Sequence, residues 1–190
     1  MSNNHSNPST FLVLQVDLAE HTNWLKENTL EKHFAKKQLA KSFIVNLKEH
    51  EFEKLFWSGD GGVFVCNAEG RQDYDIVVEV ADTVYDLFEK WKKDYKELDT
   101  IQLELRVSAH IIPIFTDDDP SFWTSIDLNY FIKSEKKEGK NGFALSQQIK
   151  TMLTEQKQNR FEGHVYYLGK EFPINLYVDS KHRTEKTGQQ

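Results

Sequence analysis

Apolar residues fall along this chain in two patterns, short continuous runs and stripes at helical spacing. Residues 11–16 (FLVLQV) form a short apolar run of strand formers, and Asp17 follows at once. A run this short and this apolar predicts a buried strand that Asp17 ends. Over residues 29–50 the apolar positions Leu30, Phe34, Leu39, Phe43, Ile44 and Leu47 fall at helical spacing. They predict an amphipathic helix, with the Thr29 hydroxyl capping its free amides. Residues 52–57 and 62–66 are two further apolar runs, separated by Ser58-Gly59-Asp60-Gly61. That separator is a turn signature, so a β-hairpin with an Asp at its tip is expected.

Residues 74–91 carry a long apolar stripe: Ile76, Val77, Val80, Val84, Leu87, Phe88 and Trp91. This is the strongest helix pattern in the chain. Residues 103–114 read as a long strand, closed by Pro113 and the acidic turn TDDDP. Further on, the pattern predicts a helix over about 125–136 and a short strand at 143–145. A helix capped by Ser146 is expected to run to about Leu153, followed by terminal strands at 165–168 and 174–178. Strands joined by hairpins and by helical crossovers predict an α+β sandwich, a sheet with helices mainly on one face.

Composition narrows the function classes. With 38% hydrophobic and 13% aromatic residues in 190, a single domain with a real core is expected. Polar residues 1–10 and 179–190 read as a flexible lead and tail around a domain over 11–178. A net charge of −6 without a basic tract argues against nucleic acid as partner. No apolar run approaches the roughly 20 residues of a membrane span, and no signal-peptide pattern opens the chain, so a cytoplasmic protein is expected. The lone Cys66 excludes an internal disulfide and a Cys-based zinc site, and reads as a small buried hydrophobe. The seven histidines lack metal-ligand spacing. His110 reads as structural, and His21, in the loop after Asp17, as either a phosphate contact or an ordinary loop residue.

The chemistry-bearing pair is Asp17 and Asp60. If the first strand and the hairpin are neighbours, two carboxylates meet at one sheet edge, which is unfavourable unless a cation lies between them. Oxygen ligands suit Mg²⁺ or Mn²⁺, and two such ions activate an attacking hydroxyl and stabilise a leaving pyrophosphate. The alternative is that Asp17 ends a strand and Asp60 fills a turn, both ordinary roles for Asp.

At these residues the chain resembles the class III nucleotide cyclases. Asp17-Leu18-Ala19-Glu20-His21-Thr22 stands where the family has a motif like D-I-x-G-F-T. Residues 52–60, ending Ser58-Gly59-Asp60, stand where it has a hairpin like K-x-I-G-D. Leu105-Arg106-Val107-Ser108-Ala109-His110 partly matches L-R-V-G-I-H, and Leu128 to Lys133 answers V-N-x-x-x-R. The resemblance spans roughly residues 11–178. It implies a class III adenylate/guanylate cyclase-like sandwich with a ferredoxin-like core sheet, and a lyase that cyclises a nucleoside triphosphate. It further implies two Mg²⁺ or Mn²⁺ ions per active site, held by Asp17, the Leu18 carbonyl and Asp60. Asn129 is implied to orient the ribose, and the residue one turn later to stabilise phosphate charge. That helix comes from the opposite subunit in the family, so a homodimer with composite sites follows.

Two departures matter. Lys133 stands where the family has Arg; it keeps the charge but loses the bidentate fork. It supports catalysis, marks a degenerate nucleotide- or protein-binding module, or is a solvated helix charge beside Lys136, Lys137 and Lys140. Phe56 stands where adenylate cyclases have Lys and guanylate cyclases Glu, and Phe122 where their second base-reading residue lies. An aromatic ring stacks on a base but does not read its edge. This swap resembles the pyrimidine cyclases of bacterial Pycsar antiphage systems, which implies UTP or CTP as substrate. It also implies a cyclic nucleotide product that activates a separate effector. An adenylate or guanylate cyclase is the alternative, as is Phe56 serving only as a strand aromatic.

Overall fold

The computed structural model describes residues 8–27, 29–117, 125, 128, 142–167 and 173–182, with backbone alone over 163–167 and 173–175. Seven strands form one sheet in the order β2-β3-β1-β4-β5-β7-β6. They are β1 (Ser9–Ala19), β2 (Glu53–Ser58), β3 (Gly61–Asn67), β4 (Glu104–Ile114), β5 (Gly142–Ser146), β6 (Phe161–Tyr167) and β7 (Pro173–Asp179). Every pairing is antiparallel except β4 with β5. Among the described residues the α-helices traced from end to end are α1 (His21–Trp24), α2 (Leu30–Glu49), α3 (Ile76–Asp94), α4 (Gln147–Lys150) and α5 (Glu155–Gln158).

Strand alternation sorts β1 onto two faces. Leu12, Leu14, Val16 and Leu18 join the main core. There they meet Ala35, Leu39, Phe43 and Leu47 of α2 and the Val77, Val80, Val84, Phe88 and Trp91 stripe of α3. Phe11 and Val13 face the other way, into a smaller cluster with Val63, Val65, Ile112, Ile114 and Leu128. The long helices therefore cover one face, as the pattern predicts.

Thr29 caps α2 as expected, its Oγ1 accepting from the Lys32 amide at 3.3 Å. The buried strip of that helix is shifted, however. Leu30 and Phe34 are 84% and 56% exposed, while Lys32 and Ala35 are buried. One residue is about 100° of helix, so the strip through Ala35, Leu39, Phe43 and Leu47 leaves Phe34 outside it. Lys32 tolerates burial because its Nζ donates to the Trp24 carbonyl at 2.8 Å and lies over the Trp24 ring.

Other boundaries also move. β1 runs two residues beyond Asp17. Ser146 does cap a helix, its Oγ accepting from the Ile149 amide, but α4 is a single turn. The chain then folds Leu153 into the core and restarts as α5. Thr154, just before α5, is fastened to Asp75 by two hydrogen bonds of 2.9 and 2.6 Å. The C-terminal segment is pinned as far as His182, whose ring stacks on Tyr85 at 3.9 Å. The expected helix over 125–136 lies outside the described residues apart from Ser125 and the helical Leu128.

Candidate functional site

Asp17 lies on the face of β1 opposite the main core, at a point where three strands converge. It pairs in register with Gly61 of β3 on one side and Arg106 of β4 on the other. A Cβ at Gly61 would overlap the Val16 carbonyl oxygen, so only glycine lets β3 approach β1 this closely. The hairpin turn before it needs Gly59 at φ 54°, the left-handed region that favours glycine. Together these glycines hold Asp60 against β1. The Leu18 amide donates to the Asp60 carbonyl at 3.0 Å, fastening the hairpin tip one residue from Asp17.

In a strand, a residue's N–H and C=O point to the same edge. The Leu18 carbonyl is therefore directed toward the hairpin tip as its amide is, while its side chain is buried in the core. Asp17, Asp60 and the Leu18 carbonyl make an all-oxygen donor set, of the kind that fits Mg²⁺ or Mn²⁺. The Asp60 carboxylate has no hydrogen bond or ion pair among the described residues, so it is available to a ligand.

A cleft of about 390 Å³ opens over this junction, lined by residues 17–23, Asp60 and Arg106. Asp17 is only 7% exposed, and Arg106 Nη1 meets its Oδ2 at 3.4 Å. The sequence marks Arg106 only as part of a partial motif match; the β1–β4 register brings it to the site. His21 is not a loop residue but opens α1, and it is buried at 8% exposure. Its Nε2 is enclosed and finds no hydrogen-bond partner. Burial pushes the imidazole below its ordinary value and Lys36 adds to this; Asp60 pulls upward and His33 downward. The ring is therefore neutral at pH 7.

Phe56 is half-buried on β2 and packs, with Leu55, on the small cluster that holds Leu128. A bulge between Lys54 and Phe56 puts both side chains on that face, the same face as Asp17. Trp57 turns the other way and packs between Phe43 and Phe64. Phe122, Asn129 and Lys133 lie outside the described residues. Cys66 is buried, as its composition implies, and burial pushes its thiol up despite a 3.0 Å contact from Arg71.

A second charged cluster was not legible in the sequence. Asp82, Asp179 and His182 bring ligand atoms within 4.8 Å of one another, the one such trio among the described residues. Arg160 already holds both carboxylates, at 2.8 and 2.9 Å to Asp82 and 2.6 and 3.2 Å to Asp179. His182 and Lys181 complete the shell of Asp82 at 2.7 and 3.2 Å. A guanidinium thus stands where a metal would, and the cluster ties β6 and β7 to α3.

No family model matches the chain, and no curated protein matches it in sequence. Solved structures do match. The catalytic core of a rhodopsin-guanylyl cyclase with converted specificity, in complex with ATPalphaS, aligns at TM-score 0.71 with 14% identity, over 94% of this chain and 99% of that one. Trypanosoma brucei adenylate cyclase in its monomeric state aligns at 0.69 with 11% identity, over 93% of each. The non-canonical dimeric guanylyl cyclase domain of the RhoGC fusion protein from Blastocladiella emersonii aligns at 0.66 with 14% identity, over 94% and 99%. The fold is that of the class III adenylyl/guanylyl cyclase catalytic domains.

Proposed function

We propose that this protein is a nucleotide cyclase that converts UTP or CTP to its 3′,5′-cyclic monophosphate and pyrophosphate. The observation that carries the reading is the meeting of Asp17 and Asp60 in one cleft, across a hairpin tip fastened to β1. Asp17, Asp60 and the Leu18 carbonyl would hold two Mg²⁺ or Mn²⁺ ions. When bound, such ions lower the pKa of the ribose 3′-hydroxyl and neutralise charge on the departing pyrophosphate. The 3′-oxygen attacks the α-phosphorus as its proton passes to solvent water, and the bond from the α-phosphorus to the bridging oxygen breaks, so that pyrophosphate leaves.

Asn129 orients the ribose and Lys133, one helical turn on, stabilises the phosphate charge. Lys133 acts as a point charge in place of the family's bidentate Arg. Phe56 and Phe122 stack on the base, which admits a pyrimidine without reading its edge. Support comes from Phe56 sharing a sheet face with Asp17. The helix of Asn129 and Lys133 is supplied by the partner of a homodimer, giving two composite sites, as the family resemblance implies. On the Pycsar resemblance, the product activates a separate effector in antiphage defence, in the cytoplasm.

Lys133 favours a second reading, a degenerate cyclase fold that binds nucleotide without turnover. Incubation of purified protein with each of the four nucleoside triphosphates and Mn²⁺ separates the two. A cyclic product lost in Asp60→Ala supports the enzyme. Calorimetric nucleotide binding without product, unaffected by Asp60→Ala, supports the module.

A further inference from the structure

We propose that Arg106 is a positioning residue of the cleft, a resident counter-ion that holds Asp17 and that a divalent cation displaces; this rests on the cyclase reading. Asp17 is 7% exposed, and a buried carboxylate is costly without a positive charge beside it. The β1–β4 register sets Arg106 directly opposite Asp17, on the same sheet face. Its Nη1 meets Asp17 Oδ2 at 3.4 Å. Arg106 also lines the cleft, together with Asp17 and Asp60. The charge that balances Asp17 thus stands in the same cleft that a cation would enter.

Arg160 shows what a permanent clamp looks like in this fold. It grips Asp82 through two nitrogens at 2.8 and 2.9 Å, and Asp179 at 2.6 and 3.2 Å. Arg106 instead reaches one oxygen of Asp17, by a contact near the limit of a hydrogen bond. A bidentate grip locks a carboxylate, whereas one long contact balances its charge and leaves it exchangeable. The backbone of Asp17 is fixed independently of Arg106. Gly61 pairs with it in register, and the Leu18 amide donates to the Asp60 carbonyl. Asp17 therefore keeps its place when the guanidinium moves off. A divalent ion held by Asp17 and Asp60 repels Arg106, since like charges a few ångströms apart are unfavourable. Cation and guanidinium compete for one carboxylate. The exchange keeps the cleft folded while it has no cation, and it sets how tightly the cleft takes one.

Calorimetric titration of nucleotide-free protein with Mn²⁺, with thermal melts in EDTA and in saturating Mn²⁺, tests this. Arg106→Met removes the charge and keeps most of the stem; Arg106→Lys keeps the charge. Arg106→Met is expected to bind Mn²⁺ at least about tenfold more tightly than wild type, the worth of a unit charge a few ångströms away. Its melting temperature falls in EDTA, where Asp17 is stranded, and returns toward the wild-type value in Mn²⁺. Arg106→Lys binds Mn²⁺ as wild type does. An Arg106 that only supports the fold gives a melting deficit in both media and an unchanged or weaker Mn²⁺ affinity. That result overturns the proposal and leaves the cyclase reading standing. If Arg106→Met does not fold, Arg106→Gln, neutral but still a hydrogen-bond donor, decides: tighter Mn²⁺ binding supports the exchange, and equal or weaker binding overturns it. Wild-type and variant proteins that do not bind Mn²⁺, in a protein that still turns over a nucleotide, overturn the role of Arg106 alone. Loss of both Mn²⁺ binding and turnover in the wild type removes the cyclase reading with it.

Discussion

Replacing Arg160 with Met removes the cation that two carboxylates share. Asp179 is fully buried, and Arg160 gives it hydrogen bonds of 2.6 and 3.2 Å. Its other contacts are the Lys181 backbone amide at 3.1 Å and the His182 ring at 3.9 Å. The variant strands a buried carboxylate, which costs about 3–5 kcal/mol. Folded domains are stable by only about 5–15 kcal/mol, so this is a large fraction. For a chain of this size the loss lowers the melting temperature by roughly 6 to 20 °C. Urea unfolding followed by circular dichroism measures it at 25 °C, and an unchanged m-value shows that the denatured state is not altered.

Acid sharpens the same test. Burial pushes the Asp82 carboxyl up, but hydrogen bonds from Arg160 and His182 and the Arg160 charge outweigh it and hold the group well below the usual carboxylate range. A folded value below the unfolded one contributes stability that is complete above about pH 4 and is lost as pH falls toward the folded value. Wild type therefore loses stability below about pH 4, and Arg160→Met loses less over that window. A double-mutant cycle with Asp179→Asn should give a coupling of at least about 1 kcal/mol. A destabilisation under about 1 kcal/mol with no coupling would refute the reasoning, because screened surface pairs behave that way.

Gly61→Ala drives a methyl into the Val16 carbonyl; it should cost about 1–3 kcal/mol by urea unfolding and abolish turnover by displacing Asp60. Gly59→Ala meets no atom within 4 Å and strains only the backbone at φ 54°, so it should cost about 1–2 kcal/mol by the same measurement. Cys66 should resist a thiol reagent at pH 7 in the folded protein and react promptly in denaturant, since it is buried and its thiol is pushed up.

The elements that the chain's pattern revealed are those that are apolar throughout or apolar along one stripe. Strands β1 and β3 announce themselves as continuous apolar runs because both of their faces are buried, and α3 because its buried residues fall on one face. The start of α2 and its Thr29 cap follow from the pattern, but its buried strip does not: Leu30 and Phe34 look like core and face solvent, whereas Lys32 is buried through its stem and a backbone acceptor. The short α4 was overextended because Ser146 signals where a helix begins and nothing nearby marks its end. Asp17 and Asp60 were legible as a pair because strand and hairpin adjacency follows from local turn chemistry. Arg106 and the Asp82–Arg160–Asp179–His182 cluster were not, because only sheet order and helix docking bring residues 78 and 89 positions apart together. Read singly, each is an ordinary surface charge.

On the proposed function, Asp17 and Asp60 grip divalent cations over a triphosphate. Its most direct test is to supply purified protein with Mn²⁺ and ATP, GTP, UTP or CTP and to resolve the products by chromatography and mass. A 3′,5′-cyclic monophosphate is expected from UTP or CTP, with none from Asp60→Asn protein that melts as wild type does. Absence of cyclic product from all four nucleotides, or equal product from Asp60→Asn, would contradict it.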